Sequence, residues 1–170
     1  MRYFILKQDE RINNYASITD SIKEQWLWQS DEPFYCTYEV PAPHKHTYFL
    51  PLMTRPFIAV AENTKRIFDL YQTQIKYRPI GLGDKSLQSL KVYYFMRPPE
   101  IDCLSSNTEY YKNNSIKKLV LDHSKIGYDN VFTVKGVHEN YLVVSLIVVE
   151  ALLAKKINEI NFVEVKCETD

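Results

Sequence analysis

Four stretches of this chain carry residue types that could do chemistry. His44 and His46 flank Lys45; on a strand, where alternate residues share a face, such a pair can chelate a metal. No third ligand is near in sequence and Pro43 disturbs strand geometry, so both histidines are expected on a surface loop. Asp122, His123 and Ser124 spell out a hydrolase triad, yet three adjacent residues cannot place nucleophile, base and orienter in series, and a strand-ending turn is expected instead. The Gly81-Leu82-Gly83 triplet lacks the third glycine and the downstream lysine of a phosphate loop and reads as a turn after a strand. Cys36, Cys103 and Cys167 are odd in number and widely spaced, which points to reduced thiols packed as small apolar side chains, without a disulfide framework. No catalytic residue, cofactor or metal site is expected from these stretches, and the chain is not expected to be an enzyme.

The segment from Trp26 to Tyr38, WLWQSDEPFYCTY, concentrates both tryptophans with Phe34, Tyr35 and Tyr38. Tryptophan and tyrosine anchor protein interfaces because each removes a large rigid apolar area from water while keeping a polar tip. Most of these rings are expected in the core. Trp26 and Trp28, beside Asp31, Glu32 and Tyr35, form the candidate partner-binding surface. A competing reading is a small ligand-binding module or enzyme with a site built from scattered residues such as His123, Tyr128 and His138, which requires a deep pocket with convergent polar groups. A homo-oligomer subunit is a further possibility and requires a large apolar interface between copies.

The elements that must position such residues follow from composition and pattern. With 170 residues, 45% hydrophobic and 25% charged, the chain is expected to fold as one domain over 1–170. Its 21 basic and 21 acidic side chains cancel, which argues against nucleic acid as a partner and permits association with protein. The opening MRYFILKQDERINN turns polar after Lys7, unlike a secretory leader, and no apolar run reaches the length of a membrane span; a cytoplasmic protein without membrane contact is expected.

Strands are expected at 2–7, 34–40, 92–96, 116–121 and 130–135, with a short helix or strand at 20–29 and an irregular connection over 41–56. Phe57 to Ala61 leads into a helix over 62–72, with Ile67, Phe68 and Tyr71 on one face and Glu62 and Arg66 paired across one turn. Alternation at Ile75, Tyr77 and Ile80 then marks a strand. Tyr141 to Val165 repeats the order: an extended lead-in, Ser145 as N-cap, a helix from Leu146 with Val149, Leu153 and Ile157 in one stripe and Lys155 and Lys156 at its end, and a strand over 160–165. Phe57, Ile58 and Val60 fall opposite Tyr141, Leu142 and Val144. After one gap, Ile75, Tyr77 and Ile80 fall opposite Ile160, Phe162 and Val165. The sum is an α+β fold with a mixed or largely antiparallel sheet of roughly seven strands, two or three short helices and two similar helix-strand units.

YYFMRPPEIDCLS, KKLVLD, GYDNVFTVKG and the Tyr141–Val165 segment, in that order, resemble the C-terminal portion of a family of small bacterial immunity proteins of polymorphic toxin systems. PLMTRPFIAVAENTKRIFDLYQ resembles the preceding helix segment, with Ala61 where a capping serine is expected. The likeness runs from Leu50 to Val165, with only an N-terminal YFIL strand matching before it. Asn158 and Glu159 stand where the family favours glycine, and asparagine tolerates the left-handed conformation of a helix end. The resemblance implies a cytoplasmic protein that neutralises a cognate protein toxin encoded beside it, and carries over no catalytic residue.

Overall fold

The computed structural model describes residues 1–12, 15–18, 28, 34–39, 48–83 and 90–169. Strand β1 is Tyr3–Gln8; β2 (Ser17–Ile18), β3 (Phe34–Glu39), β4 (Leu52–Met53), β5 (Ala59–Ala61), helix α1 (Glu62–Tyr71), β6 (Lys76–Gly83) and β7 (Leu90–Arg97) follow. Then come β8 (Glu100–Ile101), β9 (Glu109–Tyr110), β10 (Ile116–Lys118), β11 (Val120–Asp122), the single turn α2 (His123–Ile126), β12 (Val131–Val134), β13 (Leu142–Ser145), α3 (Leu146–Ala154) and β14 (Ile160–Glu168). The fold is α+β and predominantly sheet. Instead of the one sheet expected, the described residues form two six-stranded sheets, ordered β2-β3-β6-β7-β5-β4 and β11-β14-β1-β13-β12-β8, and a β9–β10 ladder. The missed strands β2, β4, β8 and β9 have two residues each, too few for a period of two to register.

The two large sheets are built alike. In one, β7 lies antiparallel between β5 and β6, which are joined by α1; in the other, β1 lies antiparallel between β13 and β14, which are joined by α3. Outside these, β4 pairs antiparallel with β5 as β12 does with β13, and β3 pairs parallel with β6 as β11 does with β14. The registers agree residue by residue: Tyr93 faces Ala61 and Ile80, while Tyr3 faces Ser145 and Val165. Ile80 and Val165 therefore occupy the same place, as the one-gap comparison of the sequences has it. The central strand alone breaks chain order, following β6 in the first unit and coming from the N-terminus in the second.

Alternation along the strands gives each sheet two buried faces. Inner faces contribute Leu52, Val60 and Met96 from one sheet and Phe4, Leu6, Leu142 and Val144 from the other; these enclose Ile67 and Phe68 of α1 and Val148, Val149 and Leu152 of α3 in one shared core. Outer faces carry separate cores, one around Tyr93, Phe95, Ile80 and Leu82, the other around Tyr3, Phe132, Val143 and Leu121. A polar clamp ties the units where α1 ends: the Gln72 side chain donates to Asp129 Oδ1 at 2.8 Å and accepts from Asn130 N at 3.0 Å, and Asn130 Nδ2 donates to Tyr71 O at 3.3 Å. Ser145 sits at the N-cap position, but its hydroxyl donates to Asn130 Oδ1 at 2.7 Å and caps no helix amide, so its role is to close this clamp.

Helix α3 departs from the expected single stripe. Leu153 is 49% exposed while Val148 and Leu152 are buried, because a helix held between two sheets buries more than one side and its apolar residues no longer mark one direction. Its C-terminus is a Schellman motif: Ile157 N donates to Leu152 O at 3.0 Å and Lys156 N to Leu153 O at 2.9 Å. The left-handed residue is Lys156, at φ 59°, and not Asn158. A lysine there pays for its Cβ, so Lys156→Gly is expected to stabilise the fold by ~1 kcal/mol, a rise of about 2–4 °C in Tm by differential scanning calorimetry. An unchanged or lower Tm would contradict this assignment.

Other expectations are corrected locally. The 116–121 run is two strands in different sheets, β10 and β11, parted at Leu119. HSKIGYD begins with α2, and Gly127 follows it at φ 64°. Gly81–Gly83 lies within β6 and is no turn. The connection over 41–56 contains β4, while 40–47, with His44 and His46, lies outside the described residues. Most of the helix or strand expected at 20–29 lies outside them too.

Candidate functional site

Of the five residues expected to meet a partner, Trp26, Asp31 and Glu32 lie outside the described residues. Trp28 is half-buried on the outer face of the first sheet, its ring 5.3 Å from that of Phe95 and capped by the Arg97 guanidinium at 4.5 Å; its Nε1 is buried and makes no hydrogen bond. Tyr35 is 68% exposed. Its neighbour Cys36 packs into the outer core, so Tyr35 projects from the opposite, helix-side face. The structure does not bring Trp28 and Tyr35 onto one surface.

What Tyr35 does join is a row that sequence reading missed. Strand pairing sets Tyr35 beside Gly81, and Gly81 beside Val92. Leu90 lies two residues before Val92 and shares its face. Gly81 is buried beneath this row, and a Cβ there would meet Tyr35 Cδ1 at 2.7 Å and Leu90 Cδ1 at 3.2 Å. Leu90 is 54% and Val92 52% exposed, and Pro79 on the same face is exposed too. At the rim, Tyr94 and the Arg66 guanidinium, which pairs with Glu62 at 2.8 Å, hold the Glu62 carboxyl below its usual range.

The second unit provides an internal control. By the shared register, the places of Val92, Pro79 and Gly81 are taken there by Arg2, Glu164 and Lys166. Arg2 grips Glu164 through two bonds of 2.6 and 2.9 Å, and Lys166 pairs with Glu168 at 2.9 Å. Val120, in the place of Tyr35, is buried, and its carbonyl accepts from Ser105 N and Thr108 Oγ1. The same sheet position thus folds with charges and a covering loop in one unit and with bare apolar side chains in the other. The fold does not require the apolar version, and contiguous exposed apolar surface of this kind marks interaction sites.

Elsewhere the polar groups serve structure. Asp122 is the N-cap of α2, accepting from Ser124 N at 3.0 Å and Ser124 Oγ at 2.7 Å, which holds its carboxyl below the usual range. His123 lies against the Tyr3 ring, Tyr128 and His138 face solvent, and no hydrogen bond or ring contact joins the three. Cys36 and Cys103 are buried and none of the three cysteines forms a disulfide. Burial pushes Cys103 and Tyr3 up to about 12 each. Among the described residues no group of His, Cys, Asp and Glu is placed to hold a metal, and no helix is long and apolar enough to cross a membrane.

Glu168 fastens the covering loop. Lys166, Ser105 and Asn107 hydrogen-bond its carboxylate and hold it at about 2, well below the usual carboxylate range near 4.5. A depressed carboxyl stabilises the fold above its unfolded pKa, and that contribution is lost as pH falls through the folded value. Stability is therefore expected to decline between about pH 4.5 and about pH 2, and Glu168→Gln to flatten that decline in urea midpoints measured across the range. A variant with the same acid limb as the parent would rule out Glu168 as its source.

No protein-family model matches the chain, and no curated protein matches it.

Proposed function

We propose that the protein is an immunity protein of the cytoplasm, binding a cognate bacterial toxin stoichiometrically and neutralising it, with the helix-side face of β3, β6 and β7 as its docking surface. The observation that carries this reading is the contrast between the units: Tyr35 and Val92, with Leu90 beside them, are bare where the places of the first two are taken by the covered Val120 and the ion-paired Arg2. A rigid sheet presenting an aromatic and two aliphatic side chains above a buried glycine is suited to exclude water from a partner's apolar segment. The motif order shared with immunity proteins of polymorphic toxin systems supplies the class of partner. We read the two units as copies of one helix-strand module, one of which has exchanged a solvated face for an adhesive one.

The test is genetic and then biochemical. Expressed alone, the product of the neighbouring gene should arrest growth; co-expression of this protein should relieve the arrest, and the two should co-purify. A neighbour that is harmless alone, or one whose toxicity persists at excess of this protein, would overturn the proposal.

A further inference from the structure

Strand β14 is paired on both sides for only part of its length. On one side β1 bonds to it from Ile160 to Val165; on the other β11 pairs with it only from Lys166 to Glu168. Among the described residues no other strand or turn bonds to its backbone, so the side away from β1 is open before Lys166. One hydrogen bond shows which groups face that opening. Leu146 N donates to Arg2 O at 3.0 Å, so Arg2 turns its polar backbone away from β14 and Tyr3, the next residue, turns its own toward it. The bonded pairs are therefore Tyr3 with Val165, Ile5 with Val163 and Lys7 with Asn161, and Ile160, Phe162 and Glu164 point their backbone groups outward. Asn161 and Glu164 are exposed, Val163 is 36% exposed and Phe162 is half-buried, so solvent reaches this edge.

The first unit closes the same edge. Met96 N donates to Ile58 O at 3.0 Å, which leaves Phe95 and Arg78 bonded to each other and turns Pro79 outward on β6. Pro79 holds the place of Glu164 and has no N–H to offer, a device that keeps an edge strand from pairing. In the second unit β14 runs beside β1 without a bulge and without proline. We propose that this open edge is where two copies of the chain meet, β14 against β14, antiparallel about a two-fold axis through Phe162. The segment is self-complementary in that register: Phe162 lies opposite Phe162, Ile160 opposite Glu164 and Asn161 opposite Val163. The outward residues of the two copies exchange about six backbone hydrogen bonds. The Phe162 rings meet beside the core each already packs against, and Glu164 comes to the contact with its charge matched by Arg2 at 2.6 Å. Centring the pair on Glu164 instead would oppose two carboxylates and drive each copy into the other's β11. These pairings favour a second copy over an unrelated strand, and a net charge of zero leaves the copies free to approach.

The dimer does not depend on the toxin reading, and its test keeps the two apart. Sedimentation equilibrium should show monomer and dimer exchanging with a dissociation constant on the order of 10–100 µM, as befits a small interface. Glu164→Pro copies the first unit's block and should weaken dimerisation at least about tenfold with the fold retained, since Pro79 is accommodated at the matching place. Glu164→Ala also removes the Arg2 pair but keeps the N–H, and should dimerise within about threefold of the parent. Val92→Arg, on the apolar face of the first unit, should dimerise as the parent does. In the unmodified protein, amide exchange at Phe162 and Glu164 should slow as concentration rises, while Asn161 and Val163, bonded to β1, stay protected throughout. A protein that stays monomeric up to about ten times that dissociation constant, or exchange at Phe162 and Glu164 that ignores concentration, would overturn the proposal. So would a dimer that survives Glu164→Pro or is lost in Val92→Arg.

Discussion

Val92→Arg is expected to leave the fold intact and to weaken binding to the toxin proposed as the partner about 100-fold, a loss of ~3 kcal/mol. The expectation that the fold survives comes from the protein itself. Arg2 occupies the same place in the second unit, on the same face of the same kind of strand, and is satisfied there by Glu164. At position 92 the arginine would stand beside Gly81 and Pro79, neither of which offers the carboxylate that Glu164 gives Arg2. In the free protein it is solvated, and stability should stay within about 0.5 kcal/mol of the parent. In a complex it must be desolvated against an apolar partner, and an unpaired buried charge costs several kcal/mol. Calorimetric titration of parent and variant against an inactivated toxin measures the effect. Undiminished affinity in a variant of unchanged Tm would remove the face of β3, β6 and β7 from the interface.

The second large effect concerns the core shared by the two units. Phe68 of α1 and Leu152 of α3 are fully buried in one cluster that also holds Phe4, Val60, Leu142 and Val144. Phe68→Ala should cost ~3–5 kcal/mol and Leu152→Ala ~2–5 kcal/mol, the loss of transfer energy plus the cavity left between two sheets that cannot close on it. Because both helices pack into the same cluster, both units should unfold in one transition, followed identically by tryptophan fluorescence and far-ultraviolet circular dichroism. Two separated transitions, only one of them moved by Leu152→Ala, would show that the units do not share their stability.

Local signals in the sequence carried well where an element was long or its pattern amphipathic. Helix α1 ends at Tyr71, within one residue of its expected limit, and its Glu62–Arg66 pair forms, because ten residues with one apolar face need little from the rest of the chain. The order lead-in, helix, strand was legible twice, and so was the register relating the two units, since buried positions repeat wherever strands meet the same neighbours. Helix α3 was located but its faces were not, because a segment enclosed on several sides is apolar in several directions.

Sequence by itself determined the lead-in, helix and closing strand of each unit and the aromatic clustering at the start of β3. Only the tertiary structure decided that β1, the first strand in the chain, completes the last unit, that Trp28 and Tyr35 leave their sheet on opposite faces, and that Leu90 and Val92 lie bare beside Tyr35. The physical reason is range. Helix periodicity and capping act over a few residues and are written locally, whereas a surface is made by strands dozens of positions apart, and its exposure depends on which segment happens to cover it.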